Sequence, residues 1–244
     1  KEFLYFSNKR LYKNKKKNIE LVDEYLQVGG YPEYVINRNS DALTNIIEST
    51  LYRDLLSHYG LRNPIFLKEL LDYLSDKVTN PVSYRNISKD LKVDDDTAKF
   101  YLQYLQDVYL IYPVYRKGSS HRIVNNSLPK YYFNDTGILN IRSIYPKIGA
   151  LAENSVYLQL RRNAQSKEYS DIYYNEIDGV EIDFQDRNKE MYEVKYRDDV
   201  DVEDLEKYQQ LDTRINLIVK EYKEIYGDIS PMHNKLTLQE FLLK

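Results

Sequence analysis

Two short strand-like segments, residues 180–185 and 191–196, flank the turn-forming Asp186-Arg187-Asn188-Lys189 and constrain this chain more than any other stretch. Both have strand length and strand-type residues, and four polar residues between them suit a hairpin connection. A symmetric register sets Asp183 opposite Glu193. Side chains opposed in this way stand about 4.5–5.5 Å apart at Cβ, and like charges there repel. A divalent cation between them would offset the repulsion. Neutralising one carboxylate is therefore expected to leave the fold intact or slightly more stable.

Period-two alternation puts Glu193 and Lys195 on one face and Tyr192, Val194 and Tyr196 on the opposite, apolar side. Asp183 and Glu193 are oxygen ligands of the kind that Mg2+ or Mn2+ takes while keeping several waters. An ion there would acidify a bound water and offset charge on a phosphoryl oxygen, with Lys195 positioning the water. That outlines a phosphodiester hydrolysis site. Residues 151–164 have helical spacing, with Leu151, Ser155, Leu158 and Arg162 on one stripe and Val156 and Leu160 beside it. Glu153 falls in the first turn, where the helix dipole favours a carboxylate that supports the metal or binds it as a third ligand. The candidate catalytic set is Glu153, Asp183, Glu193 and Lys195; Glu181, on the face of Asp183 by alternation, is either a ligand or a bystander. Taken alone, Glu-x-Lys is also what the solvated face of an edge strand carries.

Charge limits the partners. With 35 basic and 38 acidic residues the net charge is −3, so nucleic acid would have to be held by a local patch. The absence of cysteine removes disulfides and thiolate metal sites and fits a reducing interior. No apolar run reaches membrane-span length and no signal peptide opens the chain, which makes a cytoplasmic location and no membrane partner the expectation. The 26 tyrosines, against 7 phenylalanines and no tryptophan, suit half-buried positions, base stacking or plain compositional bias.

Along the chain, Lys13, Lys15, Lys16 and Lys17 read as a solvated loop that is also able to approach phosphate. Leu21, Val22, Tyr25 and Leu26 predict a helix over 19–28, stopped by Gly29-Gly30; a second covers 41–59, capped by Ser40 or Asp41. Residues 64–134 read as a winged helix-turn-helix: helices at 65–74, 83–91 and 94–108, then wing strands at 110–115 and 130–133 joined across Arg116, Lys117, Gly118, His121 and Arg122. Asp94, Asp95 and Asp96 crowd the start of the third helix with only Lys99 nearby, an arrangement that repels DNA. The loop carrying Arg116, Lys117 and Arg122 is the stronger nucleic-acid candidate, and a structural or protein-contacting winged helix competes with DNA reading. Asp135 and Gly137 are read as a tight turn. A helix over 202–211, a buried strand over 215–219 and a closing helix capped by Thr237 follow. His58, His121 and His233 lack metal-ligand spacing and read as surface or turn residues.

The order helix Glu153, strand Asp183, then Glu193-Val194-Lys195 resembles the PD-(D/E)XK, restriction-endonuclease-like superfamily. That resemblance implies a metal-dependent nuclease scaffold. Val28-Gly29-Gly30-Tyr31-Pro32-Glu33-Tyr34-Val35 and Leu51-Tyr52-Arg53-Asp54-Leu55, followed by the Glu153-Asn154 helix and the Glu-Val-Lys strand, carry a second likeness. They resemble the region after the nucleotide-binding domain in a bacterial and archaeal family of AAA+ type ATPases that bear a C-terminal domain of unknown function. No Gly-x-x-x-x-Gly-Lys-Ser/Thr segment is present, so ATP is not expected to bind here. The expectation is an α/β (α+β) chain: a helical segment over 1–63, a winged helix-turn-helix over 64–134 and a mixed-sheet PD-(D/E)XK-like domain over 135–244. Its expected role is the effector module of an AAA+ type ATPase, its own or a separate one, hydrolysing nucleic acid with DNA favoured over RNA. The rival is a non-catalytic DNA- or protein-binding regulatory module of the same ATPase.

Overall fold

Apolar periodicity in the N-terminal half becomes helices whose ends are set by local chemistry. They are α1 (Glu2–Phe6), α2 (Lys15–Val28), α3 (Pro32–Asn37), α4 (Ser40–Asp54), α5 (Pro64–Lys77), α6 (Tyr84–Leu91) and α7 (Asp95–Asp107). The computed structural model describes residues 1–54, 63–118, 128–164, 172–198, 203–222 and 233–244. His58, His121, Arg122 and the end of the helix expected over 41–59 lie outside the described residues. Asn63, Ser83 and Asp94 accept the amides of Phe66, Asn86 and Thr97, which caps α5, α6 and α7. Lys15, Lys16 and Lys17 belong to the start of α2 and not to a loop.

Seven strands follow the same logic. β1 (Ile111–Arg116) and β2 (Lys130–Phe133) lead into α8 (Thr136–Arg142) and α9 (Ile148–Asn163). Then come β3 (Tyr173–Ile177), β4 (Val180–Gln185), β5 (Met191–Lys195), α10 (Glu203–Gln209), β6 (Ile215–Val219), β7 (Asn234–Thr237) and α11 (Leu238–Leu243). The result is a mixed α/β chain with eleven helices among the described residues and a seven-stranded mixed sheet ordered β2-β1-β3-β4-β5-β6-β7. Among the described residues no helix is long and apolar enough to cross a membrane.

Where three consecutive segments are expected, contacts divide the chain into two units built from non-contiguous stretches. One comprises Lys1–Arg10, Tyr25–Pro113 and Lys130–Pro146; the other comprises Leu11–Glu24, Val114–Pro129 and Lys147–Lys244. In the first unit, α5, α6 and α7 bury Leu67, Leu70, Leu71 and Leu74 with Ile87, Leu102 and Leu105. Its polar centre is Asp135, which is buried and N-caps α8 through the amides of Gly137 at 2.8 Å and Ile138 at 3.4 Å. Its other oxygen accepts the amide of Gly30 at 2.7 Å. The expected turn at Asp135 is thus a helix cap that also holds the segment after α2. Gly29 has φ +77°, and a Cβ there would fall 2.0 Å from Asp135 Oδ1; a Cβ on Gly137 would fall 2.1 Å from the carbonyl oxygen of Val28. Only glycine lets the two segments meet.

In the second unit, β5, β6 and β7 run parallel, with β4 antiparallel to β5. One face takes α9 and α11: the Tyr157 and Phe184 rings lie 6.1 Å apart and those of Tyr192 and Phe241 5.8 Å apart. On the other face Ile182, Met191, Ile215, Leu217 and Val219 pack against Leu205, Tyr208 and Leu211 of α10 and the turn after it. β6 is buried along its whole length, as a strand covered on both faces must be. Thr237 and Glu240 form a reciprocal capping box at the start of α11.

The Asp135 node generates a test. Gly137→Ala and Gly29→Ala are each expected to lower the unfolding free energy by about 2–4 kcal/mol through steric overlap, with added backbone strain at position 29. Asp135→Ala should lose about 1–3 kcal/mol by leaving buried amides without an acceptor. Urea titration followed by circular dichroism measures all three, and variants as stable as the parent would show that the node does not hold the first unit together.

Candidate functional site

The sheet is irregular where the carboxylates sit. From Tyr173↔Gln185 to Asn175↔Ile182, β3 advances two residues while β4 advances three, so β4 carries an extra residue at Asp183-Phe184. Such bulges bend a strand and re-aim a side chain. Strict alternation therefore fails in β4: Ile182 joins the core beside Met191, and Glu181, expected on the face of Asp183, is exposed. The pairs Phe184↔Tyr192 and Gln185↔Met191 place Asp183 opposite Glu193, as the symmetric register requires. At that point side chains replace ladder bonds. The Asp183 amide donates to Glu193 Oε2 at 3.3 Å, and the Val194 amide donates to Asp183 Oδ2 at 2.8 Å.

Glu193 is only 3% exposed, so the face expected to be polar is the more deeply covered one. The Lys195 ammonium forms a close ion pair with Glu193 Oε1. The Tyr208 hydroxyl donates to the same oxygen at 2.5 Å. Tyr208 is fixed in turn, because His233 Nε2 lies 2.9 Å from its carbonyl oxygen while His233 Nδ1 accepts the Ile215 amide at 3.3 Å. With Nδ1 accepting, Nε2 is the nitrogen that donates to that carbonyl, and His233 is buried, against the expectation of a surface or turn residue. Burial pulls the Lys195 pKa down, but the charges of Glu193 and Asp183, the hydrogen bond to Glu193 and the field of Glu153 outweigh it, so the pKa lies above the ordinary lysine value. The four residues Glu153, Asp183, Glu193 and Lys195 thus act on one another as a cluster.

Two expectations need correction. The like-charge repulsion between Asp183 and Glu193 does not wait for a metal, since Lys195, Tyr208 and two backbone amides already offset it. And α9 begins at Ile148, three residues early, which leaves Glu153 beyond the first turn and outside the strongest reach of the helix dipole. Tyr208 escaped notice although the stripe Leu205, Tyr208 and Leu211 is readable: a tyrosine in an apolar stripe must bring its hydroxyl to a buried acceptor.

Two of the four expected nucleic-acid residues are paired with carboxylates. Lys99 pairs with Asp96 at 3.3 Å, and Arg116 pairs with Glu176 at 2.8 Å. Lys117 lies over the Tyr173 ring at 4.4 Å, and its amide donates to the Tyr174 carbonyl at 2.7 Å, so it extends β1 along β3. Arg122 is outside the described residues.

Among the described residues no group of three or more His, Cys, Asp or Glu side chains is arranged to hold a metal ion. The donor chemistry nevertheless fits Mg2+ or Mn2+, which characteristically takes one or two protein carboxylates and completes its shell with water and substrate phosphate. Asp183 and Glu193 would hold the ion, with Glu153 nearby, and Lys195 would have to yield part of its hold on Glu193.

A family model described as "Domain of unknown function (DUF8612)" matches residues 19–145, just over half of the chain, and the chain belongs to that family. The match ends before Glu153, so the carboxylate cluster lies outside it. An uncharacterized protein of Methanocaldococcus jannaschii is 29% identical over 213 residues, 80% of this chain and 47% of that protein. An uncharacterized protein of Haemophilus influenzae is 26% identical over 177 residues, 68% of this chain and 42% of that one. The chain therefore spans less than half the length of these curated relatives. No solved structure matches it.

The network around Glu193 sets the expected response to mutation. Glu193→Gln should lower stability by about 2–4 kcal/mol, because it leaves a largely buried ammonium without its counter-charge, and Tyr208→Phe by about 1–2 kcal/mol. Lys195→Met should destabilise most at neutral pH. Its folded-state pKa is raised above 10.5, so the stability that the ammonium supplies is complete below that pH and fades as pH rises through the folded value. Urea unfolding of parent and variant at a series of pH values measures the gap; a gap that stays constant through the alkaline limb would deny the ion pair its role.

Proposed function

We propose that this DUF8612 family member acts on nucleic acid, its second unit being a PD-(D/E)XK-type phosphodiesterase that uses Mg2+ or Mn2+. The observation that carries this reading is the meeting of Asp183 and Glu193 across β4 and β5 beside Lys195, where side chains replace ladder bonds, with Glu153 contributing to the field at that lysine. Asp183 and Glu193 would hold the divalent ion, whose chemistry when bound would be Lewis-acid polarisation of a phosphate oxygen and of a water. Lys195, held by Glu193, orients that water for in-line attack on phosphorus. Glu153 adds to the field that keeps Lys195 protonated, so the lysine serves as positioning cation and gives a proton to the leaving oxygen as its P–O bond breaks, while the attacking water releases its own proton to solvent. Tyr208 holds the Glu193 carboxylate in one orientation.

The helices α5, α6 and α7 followed by β1 and β2 support a winged helix in the first unit. α7 is poorly suited to reading DNA, since Asp95 and Asp96 are exposed at its start and Lys99 is taken by Asp96. The resemblance to AAA+ type ATPases supports an ATPase domain as partner, and relatives about twice as long as the matched stretch leave room for one. A second reading has its own support: both Glu193 oxygens are already engaged, as in a scaffold that keeps the fold without the chemistry.

Incubating the purified chain with labelled single-stranded DNA, duplex DNA or RNA and millimolar Mn2+ or Mg2+ tests the proposal. Strand cleavage is expected, reduced at least about 100-fold by Asp183→Asn and by Lys195→Ala. Lys195→Ala should still gain melting temperature from Mn2+, whereas Asp183→Asn should not, because a ligand bound only to the native state stabilises it by mass action. No cleavage together with melting curves indifferent to metal would reject the enzyme and leave the regulatory module.

A further inference from the structure

We infer that the lysines at the start of α2, Lys13, Lys15, Lys16 and Lys17, form the track that holds a nucleic-acid strand by its phosphates next to the carboxylate cluster. The inference rests on the proposal that the second unit acts on nucleic acid, and it supplies the binding surface that the net charge of −3 requires to be local.

Three observations converge on it. The first is position. β5, β6 and β7 are parallel, so their carboxyl ends lie side by side, the place where open α/β sheets take ligands. A cavity of about 190 Å3 opens there, lined by Tyr196 after β5, Lys220 after β6, Thr237 at the end of β7, and Lys15 and Asn18 of α2. Tyr196 directly follows Lys195, and its hydroxyl donates to Asp23 of α2 at 2.9 Å. The basic run is therefore fastened to the strand end that carries the Glu193–Lys195 pair.

The second observation is availability. All four lysines are exposed, and among the described residues none of them is in an ion pair. Lys15 feels Glu240, but that carboxylate is taken by the Tyr222 hydroxyl at 2.6 Å and the Thr237 amide at 2.8 Å. The other cation at this strand end, Lys220, is held by Asp23 at 3.5 Å and Asp198 at 3.2 Å. Lys99 and Arg116 are likewise paired. The lysines of the run are thus cations with charge to spare beside this strand end.

The third is the aromatic neighbour. Tyr12 is half-exposed, and Lys17 sits 5.3 Å from its ring centroid. Its backbone is fixed by Asn18, which accepts the Tyr12 amide at 2.8 Å and donates to the Tyr12 carbonyl at 2.9 Å. An anchored ring among lysines is the stacking-plus-charge surface that single strands use. An anionic membrane is disfavoured, because the apolar residues of α2, Leu21, Val22 and Leu26, are buried and leave no face to insert.

Fluorescence anisotropy with labelled single-stranded DNA, duplex DNA and RNA, in chelator and without divalent metal, tests binding apart from chemistry. The full chain with Lys13, Lys15, Lys16 and Lys17 all changed to alanine is compared with the parent. On duplex, the slope of log affinity against log salt should fall by about 3–4, so the parent's lead shrinks roughly 100-fold between 50 and 200 mM salt. An unchanged slope in the alanine variant, or parent binding to phosphatidylserine vesicles but to none of the nucleic acids, would overturn the inference. Loss of binding in the alanine variant with no cleavage by the parent would keep it and sink the phosphodiesterase reading alone; cleavage by the alanine variant at parental rate and affinity would do the reverse.

Discussion

The second unit depends on how a carboxylate survives burial at the centre of its sheet. Taking Glu193 out of water would shift its protonation or unfold the strand unless the lost hydration were replaced. It is replaced from three directions: an ammonium two residues along the same strand, a phenol from α10 and an amide from β4. Each donor is itself placed by the fold. Tyr208 is held by His233 through its carbonyl, and the Asp183 amide faces Glu193 because the bulge interrupts the ladder there. Docking of α10, opening of the β4–β5 pair and charging of Lys195 are consequently one structural event.

That coupling decides what the sequence could disclose. The strands, their turn and the opposition of Asp183 and Glu193 were legible, because they follow from period-two patterning and a symmetric hairpin. The bulge was not. An extra residue in β4 leaves no mark in composition, and it sends Ile182 to the core and Glu181 to solvent where alternation predicts a different pair of faces. Nor was the depth of Glu193 legible, since the apolar cover comes from Leu205, Tyr208 and Leu211, more distant in the chain than any local pattern reaches. The repulsion argument named the right pair and the Lys195 ammonium beside it; what it lacked were the Tyr208 phenol and the two backbone amides that share in offsetting the charge.

In the first unit the relation is different. The Gly29-Gly30 segment reads as a helix stop and the Asp135-Thr136-Gly137 segment as a tight turn; the first describes its backbone, whereas the second is the cap and first turn of α8. What joins them is a distance of more than a hundred residues along the chain, closed by one carboxylate that accepts amides from both sides. Gly137 shows no local need for glycine as a turn residue; its need comes from the Val28 carbonyl pressed against it. The two segments are thus parts of one node, and the family match over residues 19–145 contains both halves of it.

Charge placement links the units to a functional reading without any global field. A chain of net charge −3 presents isolated cations to a polyanion only where acidic neighbours are absent, and several basic residues here have acquired one. Lys99 and Arg116 illustrate how pairing erases a sequence-level basic patch: exposed ion pairs add little stability, yet they remove the counterion release that would drive phosphate binding. Lys15, Lys16 and Lys17, crowded within one helical turn at the start of α2 with Lys13 just before it, are exposed and in no ion pair among the described residues. Their repulsion is tolerated in water and relieved by a polyanion. Since Asp23 of the same helix holds Tyr196, and Tyr196 follows Lys195, a strand lying on that turn would meet the buried carboxylate pair from the end of the sheet at which its backbone is already open.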